Sequence, residues 1–198
     1  DADAKEMKDL EQKNLEQQLE YLKYQINPHF FMNTLNNIHA LVDIDPEKAK
    51  TTIEELSKMM RYVLYEGAKA YIPIEREITF IGNYITLMRL RYTDKVKIET
   101  DFPKEMPDKC IPPLLFITFI ENAFKHGVSY QRESFIHVDM QIQDDRLYFS
   151  CSNSKLPADK DVHGGLGLVN TRKRLDLIYG SSYTFDINTT HSTWNNLT

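Results

Sequence analysis

Cysteine is scarce in this chain of 198 residues: only Cys110 and Cys151 occur, far apart and without C-x-x-C spacing. That excludes a zinc ribbon and a disulfide framework and suits a reducing cytoplasm. Long apolar runs are missing too. No stretch reaches the roughly 18 residues that a membrane-spanning helix needs, and the amino-terminal residues do not read as a signal peptide. Positive charge is not in excess, with 24 Lys and Arg against 29 Asp and Glu and a net charge of -5. A nucleic-acid binder usually carries a basic face, so no nucleic-acid partner is expected. What remains is 41% hydrophobic residues, enough for a real core in one domain or two small ones.

The first 26 residues are rich in Glu, Gln and Lys, with Leu15, Leu19, Leu22 and Ile26 spaced four, three and four apart. This is an a/d seam of a coiled coil lasting barely two heptads, and the alternative is one amphipathic helix packed on its own domain. After "HFFMNTLNNIHALVDI", Asp45-Pro46 marks a turn and a helix start. The next helix carries Ile53, Leu56, Met59, Met60, Val63 and Leu64 on one stripe and ends near Gly67. Two helices joined by so short a turn make a hairpin with too little core of its own. Pairing with a second copy as a four-helix bundle would bury both stripes, so a homodimer is expected.

From residue 73 the pattern becomes mixed. "IEREITFIGNYITLMRLRY" reads as a helix opened by Pro73, and "KVKIETDF" alternates as a strand. "PPLLFITFIENAFKHG" reads as a largely buried helix beginning after Pro112-Pro113. "SFIHVDMQIQ" and "RLYFSCSN" form two strands around an Asp144-Asp145 turn. A glycine-led helix ends at Gly180, and "YTFDI" reads as a further strand. The fold class expected is α+β: a dimerising helical hairpin over residues 1–68, then a two-layer α/β sandwich over residues 74–198 that lacks its last strand.

Chemistry gathers in three places. "ENAFKHG" puts Glu121, Asn122, Lys125 and His126 around one helical turn, with Asn122, Lys125 and His126 on one face. An amide oxygen such as that of Asn122 can ligate Mg²⁺, and the cationic and imidazole groups can reach phosphate oxygens. "HGGLGLVNTRKR" supplies Gly164, Gly165 and Gly167 at a helix start, where backbone amides can approach phosphate. It is neither a Walker A loop nor a dinucleotide-binding fingerprint. The polar stretch before it reads as a lid. The third place is "INPHFFMNTLNN", where Pro28 stands directly before His29 in an otherwise helical pattern, at a cost of ~3 kcal/mol if interior.

"QINPHFFMNTLNNI", "IPPLLFITFIENAFKHG" and "GGLGLVNTRKRLDLIYG", in that order, resemble the LytS/YehU-type sensor histidine kinases over residues 20–188. The resemblance implies a phosphoacceptor hairpin followed by a Bergerat-type ATP-binding domain. "ENAFKHG" would be the N box, with Glu121 a candidate base and Asn122 the magnesium ligand. Asn122, Lys125, His126, Asn153, Gly165, Gly167 and Leu168 would bind ATP, and His29 would be phosphorylated. Pro28 would loosen the backbone and tilt the imidazole outward, while Asn33, one turn on, would fix its tautomer.

The implied partners are a second copy and the receiver domain of a response regulator. The implied location is the cytoplasmic portion of a bacterial inner-membrane protein, with its sensor ahead of Asp1. Two departures stand out. Ile117-Thr118 replaces the Gln-Pro frequent before the N box, and "SCSNSKLP" replaces a D-x-G-x-G string, leaving Asn153 in the aspartate's place. The alternatives are a non-catalytic dimeric scaffold with a degenerate nucleotide site and another Bergerat-type ATPase.

Overall fold

The computed structural model describes residues 2–23, 28–155, 166–188 and 195–197. Helix α1 (Ala2–Lys23) is exposed throughout residues 4–17, including Leu15 of the expected seam. Ile26 of that seam lies outside the described residues. Helix α2 (Pro28–Ile44) and helix α3 (Pro46–Arg61) pack on each other across a one-residue joint. The joint works because Asp45 caps α3, its carboxylate accepting from the Lys48 amide at 3.1 Å, while Pro46 takes the first turn. Between the two helices the buried hydroxyls of Thr34 and Thr52 donate to carbonyls one turn back, Phe30 at 2.8 Å and Lys48 at 2.7 Å.

The α3 stripe divides. Leu56 and Met59 are buried in the chain's own core, together with Phe30 and Ile38 of α2. Ile53, Met60 and Leu64 stay exposed. Past α3 the chain makes a π-helical turn (Tyr62–Glu66) ended by Gly67. A two-residue strand β1 (Ile72–Pro73) follows and pairs antiparallel with β3 (Cys110–Ile111). Helix α4 (Ile74–Arg91) begins after Pro73 and buries nine residues, from Ile74 to Met88. So wide a buried face suits an element that lies against α3 and also forms part of the sandwich core.

Strand β2 (Val96–Asp101) runs parallel to β4 (Ser134–Gln143), and β4 pairs antiparallel with β5 (Arg146–Asn153). The register places Val138 opposite Cys151 and Met140 opposite Phe149. Ile136, Val138, Met140, Phe149 and Cys151 therefore form one buried face, the period-two consequence of strand geometry. Helix α5 (Ile117–Gly127) covers that face, and helix α6 (Leu166–Tyr179) lies beside α5. Gly180, at φ +57, ends α6 in the left-handed conformation that glycine adopts without strain.

Two expectations are corrected. Residues 112–116 form a buried loop, so α5 starts at Ile117 and not directly after Pro113. The amides of Leu114 and Leu115 donate to the Glu77 carboxylate at 3.1 and 3.2 Å, and Leu114 sits at φ 60, outside helical geometry. "YTFDI" is not a strand. Its aromatic side chains hold it to the helices, with Phe185 beneath the Arg172 guanidinium and against Phe119, and Tyr183 bonded to Asp176. The free side of β5 is taken by a short β6 (Asn195–Leu197), giving the sheet order β2-β4-β5-β6.

Candidate functional site

Helix α5 buries Ile117, Phe119, Ile120, Ala123, Phe124 and Gly127 against the sheet. That apolar stripe, at spacings of three and four, leaves Glu121, Asn122, Lys125 and His126 along the helix flank. Asn122 and His126 are half-buried and Lys125 is exposed. Glu121 is half-buried, and its Oε1 is buried with no hydrogen-bond partner among the described residues. Burial pushes its carboxyl up to about 7. A carboxyl held near neutrality with an unsatisfied oxygen is what a general base at physiological pH requires.

The end of α5 meets the end of β5. A Cβ added at Gly127 would lie 2.4 Å from the Asn153 Cβ and 2.6 Å from its Nδ2, so only glycine lets the strand end come this close. The contact is fixed by Ser154, whose hydroxyl donates to the Gly127 carbonyl and accepts from the Phe135 amide at 3.1 Å. Asn153 Nδ2 donates to the Ser154 carbonyl at 2.9 Å, which leaves Oδ1 as the acceptor of that amide. The structure thus brings Asn153 together with the helix that carries Glu121, Asn122, Lys125 and His126. Sequence reading missed Gly127 and Ser154 as positioning residues. The signal available was a glycine closing "ENAFKHG" and a serine directly after Asn153.

His29 and Asn33 lie on the first turns of α2, where Asn33 is exposed and the His29 side chain is outside the described residues. Phe30, the next residue, is buried against Tyr84 of α4, ring centroids 5.0 Å apart, and Tyr84 meets Phe124 of α5 edge-on at 6.0 Å. An aromatic bridge thus seats the start of α2 on the two helices behind the site. Gly167 and half-buried Leu168 lie in the first turn of α6, while Gly165 is outside the described residues. Among the described residues, no cluster of three or more His, Cys, Asp or Glu side chains could hold a metal ion. A hard cation at Asn122 would therefore complete its shell from phosphate oxygens and water, the usual habit of Mg²⁺.

A helical hairpin joined to an α/β layer, with a polar helix end facing a strand end, defines the class. Residues 17–96 match the family described as Histidine kinase. The chain is 31% identical over 189 residues to Sensor protein LytS of Staphylococcus epidermidis, a match covering 88% of this chain and 32% of that protein. It is 33% identical over 180 residues to Sensor protein LytS of Streptococcus agalactiae, covering 83% and 30%. To Sensor histidine kinase/phosphatase LytS of Staphylococcus aureus it is 30% identical over 190 residues, covering 88% and 32%. The chain belongs to the histidine kinase family, and these relatives are its LytS type. It spans about a third of their length. A solved histidine kinase domain, from the blue-light activated kinase of Erythrobacter litoralis, is similar at a TM-score of 0.48 with 16% identity, covering 93% of each chain.

Proposed function

We propose that this chain is the kinase core of a two-component sensor: it phosphorylates His29 from ATP and passes the phosphoryl group to an aspartate on a response regulator. The observation that carries this reading is the junction of α5 with β5. It brings Asn153 to the end of the helix that carries Glu121, Asn122, Lys125 and His126, in a chain of this family whose α2 opens on the phosphoacceptor string. Residues 1–68 serve as the dimerising hairpin and residues 74–198 as the nucleotide domain, and the whole is the cytoplasmic portion of a membrane sensor.

The chemistry follows from these groups. A His29 ring nitrogen attacks the γ-phosphorus, the bond to the bridging oxygen breaks, and ADP leaves. The proton displaced from the ring goes to the Glu121 carboxylate. Asn33 fixes the tautomer. Lys125 and His126 neutralise charge at the phosphates, which is most of what phosphoryl transfer asks of a protein. The resemblance adds the amides around Gly165 and Gly167 and the Leu168 side chain as further nucleotide-binding groups. Magnesium bound through Asn122 would supply further charge neutralisation. Asn153 Oδ1 accepts from the adenine amino group, a neutral acceptor in place of a charged one and weaker by ~1 kcal/mol.

Labelling with γ-³²P-ATP tests the reading. Wild type is expected to acquire acid-labile, alkali-stable label, and folded His29→Gln to acquire none. Label persisting in His29→Gln would remove the assignment. The substitution at Asn153 favours one second reading, a non-catalytic dimeric scaffold. Calorimetry that found no nucleotide binding at millimolar ATP and magnesium, with the domain folded, would select it.

A further inference from the structure

Among the described residues, the buried charged side chains are Glu77 and Arg174, gathered near the end of the hairpin. Glu77 of α4 is 0% exposed and Arg174 of α6 only 3%. Their hydrogen bonds converge on residues 113–115, each side chain bonding two of them and both bonding Leu114. The Glu77 carboxylate accepts from the amides of Leu114 and Leu115, while the Arg174 guanidinium donates to the carbonyls of Pro113 and, at 3.0 Å, Leu114. A third donor reaches Glu77 from the hairpin side, the hydroxyl of Tyr62 in the π-helical turn. The loop so gripped leads directly into α5, and at Leu114 it holds a non-glycine residue at φ 60, an expensive conformation kept only where the surroundings over-determine it. π-Helical turns are themselves irregularities that concentrate at functional places.

Neighbouring contacts tie the same two points together. β1 pairs with β3 just before the loop, and the Ile74 amide donates to the Lys109 carbonyl at 3.0 Å. Glu66 in the π-helical turn bonds Arg76 of α4. A Cβ at Gly67 would lie 2.9 Å from Leu114 Cδ1, so the end of the turn rests on the strained loop.

We propose that Tyr62, Glu77 and Arg174 are positioning residues forming a clamp through which the end of the phosphoacceptor hairpin sets the loop 113–115, and with it the placement of α5. The role rests on the kinase reading above. Glu77 and Arg174 meet through the backbone of residues 113–115. Buried polar contacts of this kind add little net stability over apolar residues of equal volume while in some proteins fixing one geometry. Movement of the hairpin is transmitted through the Tyr62 hydroxyl to the start of the nucleotide-binding helix. None of the three residues touches substrate.

Tyr62→Phe separates this role from a merely structural one, because it deletes the hydroxyl and keeps the ring stacked on Phe80 at 4.2 Å. In the full chain, amide exchange at Leu114 and Leu115 is expected to quicken about tenfold, and the rate of His29 labelling per folded molecule to fall about tenfold, with the KM for ATP within about twofold of wild type. Glu77→Gln, if folded, is expected to show the same pattern. Unchanged exchange and unchanged labelling per folded molecule, even with a lower Tm, would overturn the clamp alone. A wild type that takes no label would overturn the kinase reading and the positioning role with it.

Discussion

At the scale of single residues, the base role proposed for Glu121 ties stability and activity together with opposite signs. Its carboxyl moves from 4.5 to about 7 on folding because burial disfavours the charged form. A raised carboxyl pKa means that the folded state binds the proton more tightly. The penalty is therefore absent below pH 4.5, grows as pH rises toward 7, and is complete above it. At 1.36 kcal/mol per unit it amounts to about 3 kcal/mol at most, less where water reaches the carboxyl. Glu121→Gln should leave Tm nearly unchanged at pH 4.5, raise it at pH 8, and abolish the increase in labelling rate expected of wild type through pH 7. Equal Tm differences at the two pH values would refute the buried ionisation. Gly127 makes the companion case. Gly127→Ala forces a methyl group against Asn153, which should cost about 1–3 kcal/mol in urea unfolding and displace the Asn153 amide proposed to receive adenine. Calorimetry should then show weakened ATP binding, whereas Gly82→Ala, with nothing within 4 Å of its added Cβ, should bind as wild type does.

At the scale of elements, strands and helices with strong periodicity were legible from sequence, and those decided by tertiary partners were not. "SFIHVDMQIQ" and "RLYFSCSN" alternate, and they are β4 and β5 residue for residue. The helix closed by Gly180 was readable because glycine at a C-terminus has a local cause. "PPLL" was not readable, since its conformation is dictated by Glu77 and Arg174, charges distant in sequence that composition alone would place at the surface. "YTFDI" misled for the same reason, its β-forming side chains being claimed by α6 and Phe119. The site divides likewise: the α5 face was legible, while the contacts of Gly127 and Ser154 with it belong to three-dimensional packing. The two-residue loop between β4 and β5 yields a prediction here. Asp144 and Asp145 sit at φ 49 and 60, a type I′ geometry that prefers Asn-Gly. The double change Asp144→Asn with Asp145→Gly should stabilise by about 1 kcal/mol, or roughly 2–4 °C in Tm by calorimetry. The exposed pair of Asp145 with Lys109 that it removes offsets little of this gain. A lower Tm would show that the turn is held by contacts other than its own dihedral preference.

At the scale of the whole molecule, the hairpin's apolar residues divide between the chain's own core and solvent. Leu56 and Met59 are committed to the chain's own core with α4, and Phe30 and Ile38 join them from α2. The remainder face solvent in the single chain: Leu35 and Val42 on α2, then Ile53, Met60 and Leu64 along α3 and the turn beyond it. Leu35 and Val42 are a heptad apart, as are Ile53 and Met60, with Leu64 four residues further on. Such spacing is that of an a/d seam, and soluble monomers seldom leave contiguous apolar patches larger than a few hundred Å² exposed. The proposed second copy, presenting the same seams, would cover them with self-complementary packing. Because the inward stripe is separate, the outward one can be altered without emptying the core. Met60→Glu with Leu64→Glu should convert the dimer to a monomer by light scattering at tens of micromolar protein, with near-ultraviolet circular dichroism unchanged. Leu56→Ala should instead cost about 2–5 kcal/mol in unfolding, as for other buried leucines. A wild-type chain that is monomeric under these conditions, or a Met60→Glu, Leu64→Glu variant that stays dimeric, would move the interface off this face.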